Sequence, residues 1–238
     1  MPATLYLIPT VLTGEDFSTA AAVLPAAVPA RIAALRLFFV ENVRTARRFI
    51  KAVTPAAVID DLTIELIDKD ASADTVRRAI QRVAAGQDAG VLSEAGCPGI
   101  ADPGAALAAE AHRQGVRVVP LTGPSSLLLA LMGSGMNGQQ FAFLGYLPVE
   151  RAARQAAIKK LEQQAQRASQ TQLFIETPYR NQALLTDLLA TLQPATRLCV
   201  ACDLTAETEL LVTKTVADWR KTEPPALHKR PAGFVVGG

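Results

Sequence analysis

The feature that most constrains the fold is an alternation of short apolar runs with longer helical patterns in the first half of the chain. Apolar runs of strand length occupy residues 5–8, 37–40, 62–67, 89–92 and 116–121. Helical patterns occupy residues 42–53, 72–85 and 105–114. Strands that alternate with helices of this length predict a mainly parallel sheet that is covered by helices.

The second half has a different rhythm. Strands are predicted at residues 141–147, 172–175, 198–201, 209–213 and 233–236, and helices at 149–167 and 181–192. Little helix separates the last three strands, which favours a mixed sheet with antiparallel pairs. A length of 238 residues suits one or two domains. We therefore expect two α/β domains, residues 1–121 and 122–238, the first with a mainly parallel sheet and the second with a mixed sheet.

The composition of the chain argues against several functional classes. The chain has 24 basic and 22 acidic residues, so its overall charge gives no bulk preference for nucleic acid. Three cysteines make no disulfide framework, and two histidines argue against a zinc enzyme. No apolar run approaches the roughly 20 residues that a membrane span needs, and the first residues lack the basic segment of a signal peptide. We expect a cytoplasmic protein without a metal or a membrane anchor.

Two literal motif matches do not support their usual functions. Residues 133–138 spell G-x-G-x-x-G, but they follow a helical run and precede a strand, whereas the dinucleotide fingerprint requires the reverse order. We interpret them as a helix end and a loop. Cys199 and Cys202 spell C-x-x-C. If the two residues lie on one strand, they point to opposite faces, because they are three positions apart. We interpret them as small apolar core residues.

Two strand ends carry loops that indicate a ligand. Residues 90–104, GVLSEAGCPGIADPG, end a strand and continue in a loop rich in glycine and proline. Residues 119–126 lead from a strand into a helix, where Ser125 and Ser126 would present hydroxyl and free N–H groups, or would simply cap the helix. Ligands of α/β sheets bind beyond the carboxyl ends of strands. The two loops together predict one shared ligand.

Two further segments combine charge with a strand end. Arg44, Arg47 or Arg48, and Lys51 recur at helical spacing directly after the strand at residues 37–40. This basic stripe is either a phosphate-binding surface or a solvated helix face. Residues 174–180, FIETPYR, place charged and aromatic groups in a turn.

Five segments together resemble a known family. They are GVLSEAGCPGIADPG, VVPLTGPSS, FAFLGYLP, TQLFIETPYR and PAGFVVGG, in this order. The chain resembles the tetrapyrrole methylase superfamily, the class III S-adenosylmethionine-dependent methyltransferases, over nearly its whole length. The patterns E-[DN]-x-R-x-x-R-R at residues 41–48 and E-[ST]-P-[HY]-R at 176–180 resemble the small-subunit ribosomal RNA methyltransferase I branch, which methylates a cytidine ribose 2′-hydroxyl. The resemblance implies S-adenosylmethionine as cofactor, a cofactor cleft between the domains, a homodimer, and ribosomal RNA or the small ribosomal subunit as partner.

The resemblance also implies site residues by their positions in these motifs. The residues expected to bind the cofactor are Pro9, Thr10, Ser93, Glu94, Ala95, Gly96, Cys97, Pro98, Ile100, Ala101, Asp102, Ser125, Ser126, Glu176, Thr177, Ala201, Cys202 and Ala232. The residues expected to bind the acceptor are Arg44, Arg47, Arg48, Lys51, Tyr179 and Arg180.

The chain departs from the pattern of this branch at several places. The segment after the first strand reads IPTVLTG rather than A-T-P-I-G-N. Asn42 and Glu94 each stand where the branch has an aspartate, and Tyr179 stands where it has a histidine. These changes fall on the side expected to face the acceptor. The resemblance therefore implies methyl transfer more directly than it implies cytidine as the acceptor.

A ribose hydroxyl is a weak nucleophile, so a general base would help to remove its proton. The candidates are Glu41, Glu94 and Glu176, which each follow a predicted strand. Glu41 ranks first because the basic stripe beside it could anchor a phosphate. Two alternatives stay open: a methyltransferase for a small molecule such as a tetrapyrrole, and a catalytically weak protein that binds S-adenosylmethionine or its product for sensing or assembly.

Overall fold

The computed structural model describes residues 3–237. The chain divides into two compact units, residues 1–125 and 126–238. The boundary expected from the sequence, after residue 121, lies four residues earlier. The segment between the two positions packs in the first unit, where a Cβ atom on Gly123 would lie 2.2 Å from the Cβ of Pro9. The expected location of the cofactor cleft stays a prediction.

The first unit is built on a five-stranded sheet with the order β3-β2-β4-β1-β5. Its strands are β1 Thr4–Ile8, β2 Leu37–Val40, β3 Thr63–Leu66, β4 Ala89–Leu92 and β5 Arg117–Pro120. Every strand pair is parallel, as the alternation of strands and helices predicts. Parallel strands need crossover connections, and the helices of this unit supply them.

Helices cover both faces of this sheet. They are α1 Ala20–Val23, α2 Ala27–Ala34, α3 Val43–Val53, a 3₁₀ helix Ile59–Asp61, α4 Ala73–Ala84 and α5 Ala105–Arg113. Phe38 and Phe39 are neighbours in β2 and point to opposite faces, where each joins a different buried cluster. Phe38 packs in the cluster with Phe49 of α3, and Phe39 packs in the cluster with Ile80 of α4. The strands are therefore buried on both sides.

The second unit contains a mixed five-stranded sheet with the order β6-β7-β10-β8-β9. Its strands are β6 Phe141–Tyr146, β7 Thr171–Glu176, β8 Arg197–Cys202, β9 Leu210–Thr215 and β10 Ala232–Gly237. The pair β6–β7 is parallel and the other three pairs are antiparallel. The predicted fold class, two α/β domains with a parallel sheet and a mixed sheet, is confirmed.

The helices of the second unit are α6 Ser126–Ser134, α7 Arg151–Ala168, α8 Asn181–Thr191 and α9 Val216–Trp219. The core is centred on the stacked rings of Phe174 and Phe234, whose centroids lie 5.8 Å apart. The G-x-G-x-x-G match begins in the last turn of α6 and continues into a loop, where Gly135 has a φ of 69°. Among residues 3–237, no helix is both long and apolar enough to cross a membrane.

Candidate functional site

Three strands of the first unit end at the same level of the sheet. The last residues of β1 and β2 are both register partners of the last residue of β4. Pro9, Glu41 and Ser93 follow these three strand ends directly. The carboxyl edge of the parallel sheet therefore brings together segments that are far apart in the sequence, which is the place where α/β sheets bind ligands.

The loops after β1, β4 and β5 are tied to one another. The backbone N–H of Thr10 donates to the carbonyl of Gly96 at 2.8 Å, and the N–H of Gly96 donates to the carbonyl of Val11 at 3.3 Å. The Cys97 thiol donates to the carbonyl of Pro124 at 3.3 Å. The structure thus places the two predicted ligand loops and the loop after β1 in one packed group.

The loop from Ser93 to Asp102 has three residues with positive φ angles. Gly96 and Gly99 have φ angles of 70° and 82°, in the left-handed region that favours glycine. Ala101 also has a positive φ, 61°, and a non-glycine residue held there is strained. Strain of this kind is concentrated at binding and catalytic loops.

Two buried hydroxyl groups of this site are only weakly engaged. The Oγ1 of Thr10 donates to the Ser93 carbonyl, and the Oγ of Ser93 donates to the Ala95 carbonyl. Both donor–acceptor distances are 3.4 Å. Hydroxyl hydrogen bonds are usually about 0.6 Å shorter. These hydroxyls, the close backbone and the small side chains fit a polar ligand such as S-adenosylmethionine, which offers donors and acceptors of its own. Ser125, the last residue of this unit, is buried as well, whereas Ser126 begins α6 and is exposed.

Several carboxylates lie in this loop and next to it. The Glu41 carboxylate accepts a hydrogen bond from the backbone N–H of Glu94 at 3.2 Å. Burial raises the pKa of Glu41, and the nearby charges of Glu94 and Asp68 raise it further. Burial, together with the charges of Glu41 and Glu94, raises the pKa of Asp102 to about 7. The carboxyl edge therefore holds interacting carboxylates, among which Asp102 has a pKa close to neutral pH.

The raised pKa of Asp102 predicts how stability depends on pH. The ordinary pKa of Asp102 is 3.8 and its folded value is about 7, so the folded chain binds more protons than the unfolded chain between these values. Its free energy of unfolding should therefore fall as the pH rises from about 4 to about 7. Urea unfolding across this range measures the slope. Asp102→Asn should reduce the slope, and an unchanged slope in this variant would contradict the assignment.

The basic stripe lies on the exposed face of α3, but most of its charges are already engaged. Arg47 pairs with Asp60 at 2.8 Å, and Arg48 pairs with Glu15. Lys51 donates to two backbone carbonyls, those of residues 55 and 57. Within residues 3–237, the side chain of Arg44 has no such partner. Arg44 is therefore the member of the stripe that can take a phosphate without breaking an internal contact.

A shallow depression of about 450 Å³ adjoins this stripe. Its lining residues are Phe17, Arg47, Arg48, Lys51, Ala52 and Ile59. The depression is open, and its three cations are the engaged ones.

Asn42 fixes the start of α3. Its side-chain oxygen accepts from the N–H groups of Arg44 at 3.0 Å and Thr45 at 3.2 Å. Asn42→Ala should lower the free energy of unfolding by about 1 kcal/mol, because a polar N-cap is lost. Asn42→Asp keeps an acceptor at the helix N-terminus and should change it by only a few tenths of a kcal/mol. Denaturant unfolding measures both; equal effects of the two variants would contradict the capping role.

In the second unit, three predicted site residues form one row across neighbouring strands. Ala232 at the start of β10 is the register partner of both Glu176 in β7 and Cys202 in β8. Ala201 and Cys202 are fully buried, and Cys202 belongs to the core, as the interpretation of the C-x-x-C match implies. A ligand at this row would meet backbone groups of β8 rather than these side chains.

Glu176 has a structural partner. Its side chain is 1% exposed and accepts from the backbone N–H of Thr177 at 2.7 Å and from the Nη2 of Arg180 at 2.6 Å. Tyr179 lies between them in the sequence and is 71% exposed. A buried carboxylate held by an arginine is poorly placed to act as a free base, so Glu176 acts here as the group that positions Arg180.

Comparison with known proteins gives the family. The model of the tetrapyrrole (corrin/porphyrin) methylases matches residues 19–219, which is most of the chain. The chain belongs to this family. The resemblance stated from the sequence is thereby confirmed.

Two relatives that are similar to this chain in sequence share the same name. The chain is 34% identical over 160 residues to "Ribosomal RNA small subunit methyltransferase I" of Xylella fastidiosa, covering 67% of this chain and 57% of the relative. It is 36% identical over 126 residues to the protein of the same name from a Synechocystis species, covering 53% and 44%. The matches thus span about half the length of these relatives. The branch resemblance is confirmed as well.

Solved structures of other methylases share the fold. The crystal structure of the methyltransferase CobJ matches 100% of this chain and 95% of its own with a TM-score of 0.61 at 18% identity. The uroporphyrin-III-C-methyltransferase of Thermus thermophilus matches 100% and 93% with a TM-score of 0.55 at 17% identity. At these identities the likeness concerns the fold alone.

Sequence reasoning missed part of the acidic group of this tetrapyrrole methylase. Glu41 and Glu94 were candidates, but Asp68 was not, and Asp102 was assigned only to the cofactor. Asp68 lies two residues after the end of β3, so its position near a strand end was the available signal. No metal-binding group of His, Cys, Asp and Glu forms in the described part of the chain.

Proposed function

We propose that the chain is an S-adenosylmethionine-dependent methyltransferase that acts on ribosomal RNA of the small subunit. Family membership and the shared name of the relatives support this function. The structural observation that carries it is the joining of three strand-end loops beside a coupled group of carboxylates in the first unit. This arrangement offers a polar binding loop and a proton acceptor at one sheet edge.

S-adenosylmethionine would supply an electrophilic methyl group that needs no covalent help from the protein. The residues proposed to hold it in the first unit are Thr10, the loop from Ser93 to Asp102, and Ser125. Their weakly engaged hydroxyls and close backbone groups can exchange internal hydrogen bonds for bonds to the ligand. The rigid ties between the loops would keep the bound methyl donor in one orientation, which is the main requirement of an in-line transfer.

The acceptor hydroxyl must lose a proton during the transfer. A base whose pKa lies near the working pH is the most effective one. The sequence ranks Glu41 first, but Asp102 has a pKa of about 7, and the charges of Glu41 and Glu94 help to set it. We therefore propose Asp102 as the group that takes the proton, with Glu41 and Glu94 as the neighbours that adjust its pKa. Arg44 is proposed to hold a phosphate of the acceptor.

The quaternary state and the compartment are proposals too. We propose a homodimer, as the family resemblance implies, and action in the cytoplasm, where ribosomal RNA is found. Sedimentation of the purified chain tests the first proposal: a single species with the mass of one chain would overturn it.

The function is tested by methyl transfer. Purified small ribosomal subunits that lack the modification are incubated with the chain and tritiated S-adenosylmethionine, and nuclease mapping locates the label. We expect label on a ribose of the small-subunit RNA. Calorimetric titration with S-adenosylmethionine and S-adenosylhomocysteine is done in parallel. Cofactor binding without label in RNA would overturn the RNA substrate, and no cofactor binding by the folded chain would overturn the methyltransferase.

A further inference from the structure

Exposed aromatic rings gather at one edge of the second unit. The chain has three tyrosines and two histidines. Tyr179, just after β7, is 71% exposed, and its ring forms an edge-on pair with the ring of His228, at a centroid distance of 6.2 Å and an interplanar angle of 73°. Tyr146, the last residue of β6, is 56% exposed. Because β6 and β7 are parallel, their carboxyl ends lie at the same edge of the sheet.

The two loops that carry the ring pair are fixed to each other. The backbone N–H of Lys229 donates to the carbonyl of Pro178 at 3.0 Å. The side-chain amide of Asn181 donates to the carbonyl of Arg230 at 2.6 Å. Tyr179 lies between Pro178 and Asn181, and His228 precedes Lys229, so these bonds hold the exposed rings in place without covering them.

Cations flank the ring pair. Lys229 is exposed, and its ammonium group has no partner among the described residues. Arg180 donates to the Glu176 carboxylate, and this hydrogen bond together with the charge of Glu176 raises the pKa of the Arg180 guanidinium. The acidic groups Asp203 and Glu209 at this edge both accept internal hydrogen bonds. Among the described residues, Lys229 thus adds an exposed positive charge that belongs to no ion pair, whereas the charge of Arg180 is paired with Glu176.

Buried side-chain atoms without a hydrogen-bond partner lie at the same edge. Within the described residues, three buried side-chain atoms lack a hydrogen-bond partner: the Nε of Arg180, the Oδ1 of Asn181 and the Oγ1 of Thr205. Two of them follow Tyr179 directly, and the third follows β8, which ends at the same edge as β7. Asn181 is fully buried. Buried polar groups normally have a hydrogen-bond partner. At this edge, the described residues supply no partner for these three atoms.

We propose that the Tyr179–His228 ring pair, with Lys229 and Arg180 beside it, is a platform on which an unpaired base of single-stranded RNA stacks. Exposed aromatic rings recognise splayed bases by stacking, and adjacent cations hold the phosphates. The proposal rests on the proposed RNA substrate and assigns its contact surface in the second unit. The sequence motif had suggested Tyr179 and Arg180; His228 and Lys229 come from the structure.

Binding of a fluorescently labelled single-stranded RNA of roughly 10 nucleotides, measured by anisotropy, tests the platform. Tyr179→Ala and His228→Ala should each weaken binding about 10-fold, the effect of one lost stacking contact. Tyr179→Phe keeps the ring and should bind like the unchanged chain. Met132→Ala is the matched control, because Met132 is 78% exposed in the same unit and lies in α6, away from the ring pair in sequence. It should leave binding unchanged.

An abasic RNA of the same length separates stacking from phosphate binding. The unchanged chain should bind it about 10-fold more weakly than the normal RNA, and Tyr179→Ala should then make no further difference. If Tyr179→Ala binds the normal RNA as tightly as the unchanged chain does, the platform is wrong, even where methyl transfer to subunits succeeds. If the platform variants behave as expected but subunits acquire no label, the proposed methyltransferase function fails and the RNA surface stands.

Discussion

Asp102→Asn is expected to lower the rate of methyl transfer at pH 7 by about 100-fold or more. General-base catalysis contributes about 10²–10⁴-fold, and an asparagine cannot accept the proton. The unchanged chain should show a rate that rises with pH and levels off above about 7, because Asp102, whose pKa is about 7, must be ionised to act. The variant should lose this rise. Single-turnover rates between pH 5.5 and 9, with saturating cofactor, measure both effects.

Two variants of the neighbouring carboxylates are the controls. Glu41→Gln and Glu94→Gln each remove one negative charge that raises the pKa of Asp102. Each should move the inflection of the pH–rate profile to lower pH and keep most of the rate at pH 8. Should Glu41→Gln instead cost more than Asp102→Asn at every pH, Glu41 is the base, as the sequence alone ranks it. Calorimetry with S-adenosylhomocysteine measures the cofactor affinity of each variant, and the rates are compared at a cofactor concentration that saturates all of them, so that a loss of rate is not a loss of cofactor.

The fold could be predicted well because the strands and most of the helices have a clear local pattern in the sequence. The strands of the parallel sheet are short runs of apolar residues, and most of the helices between them have a polar cap or a glycine at an end. Asn42 caps α3 and Ser72 caps α4, as residues with short polar side chains usually do. Periodicity and caps together fixed these elements to within a few residues.

The two α-helices of the first unit that the sequence did not predict lack such a pattern. Helix α1 is one turn of alanine and valine, and α2 contains Pro29 and four alanines. The proline lies in the first turn of α2, where a missing N–H costs little, but in a sequence it signals a break. Alanine gives no contrast between a buried and an exposed face. The tertiary contacts of Val28 and Ile32 in the core, rather than a local pattern, define α2.

The candidate site was predicted in part. Strand ends followed by glycine, proline and charged residues identified the loops, since the carboxyl edge of a parallel sheet is a general ligand site. What the sequence could not show is which charges find partners. Arg47, Arg48 and Lys51 are equivalent to Arg44 in helical spacing, yet only the folded chain brings Asp60 and Glu15 to two of them. The raised pKa of Asp102 likewise depends on burial and on neighbours more than 50 residues away or in its own loop.

A buried ion pair in the second unit holds the elements that present the proposed RNA-binding edge. Arg154 of α7 donates to Asp187 of α8 through Nε at 2.8 Å and through Nη2 at 2.5 Å, and both side chains are at least nine-tenths buried. The same guanidinium donates to the carbonyl of Val149, just after β6, at 2.6 Å. The pair therefore joins α7, α8 and the end of β6. Tyr146 ends β6, and Tyr179 immediately precedes the N-cap residue of α8.

Asp187→Ala is expected to lower the free energy of unfolding of the second unit by about 3–5 kcal/mol, because it leaves the Arg154 charge buried without its partner. Arg151→Ala is the matched control. Arg151 donates to the same carboxylate at 3.2 Å, but its side chain is 69% exposed, so its loss should cost less than about 1 kcal/mol. The single tryptophan, Trp219, is buried in this unit and reports its unfolding by fluorescence in urea.

A further variant tests whether the Arg154–Asp187 ion pair contributes to RNA binding as well as to stability. Asp187→Asn, studied at low temperature where the unit remains folded, removes the charge but keeps an oxygen that can accept from Arg154. If the Arg154–Asp187 pair positions the ring pair through α8, this variant should weaken single-stranded RNA binding along with stability. Arg151→Ala should leave RNA binding unchanged and cost less than about 1 kcal/mol of stability. Equal stabilities of the Asp187→Ala and Arg151→Ala variants would show that Arg154 finds another partner, such as water, and that α8 is held by its apolar face alone.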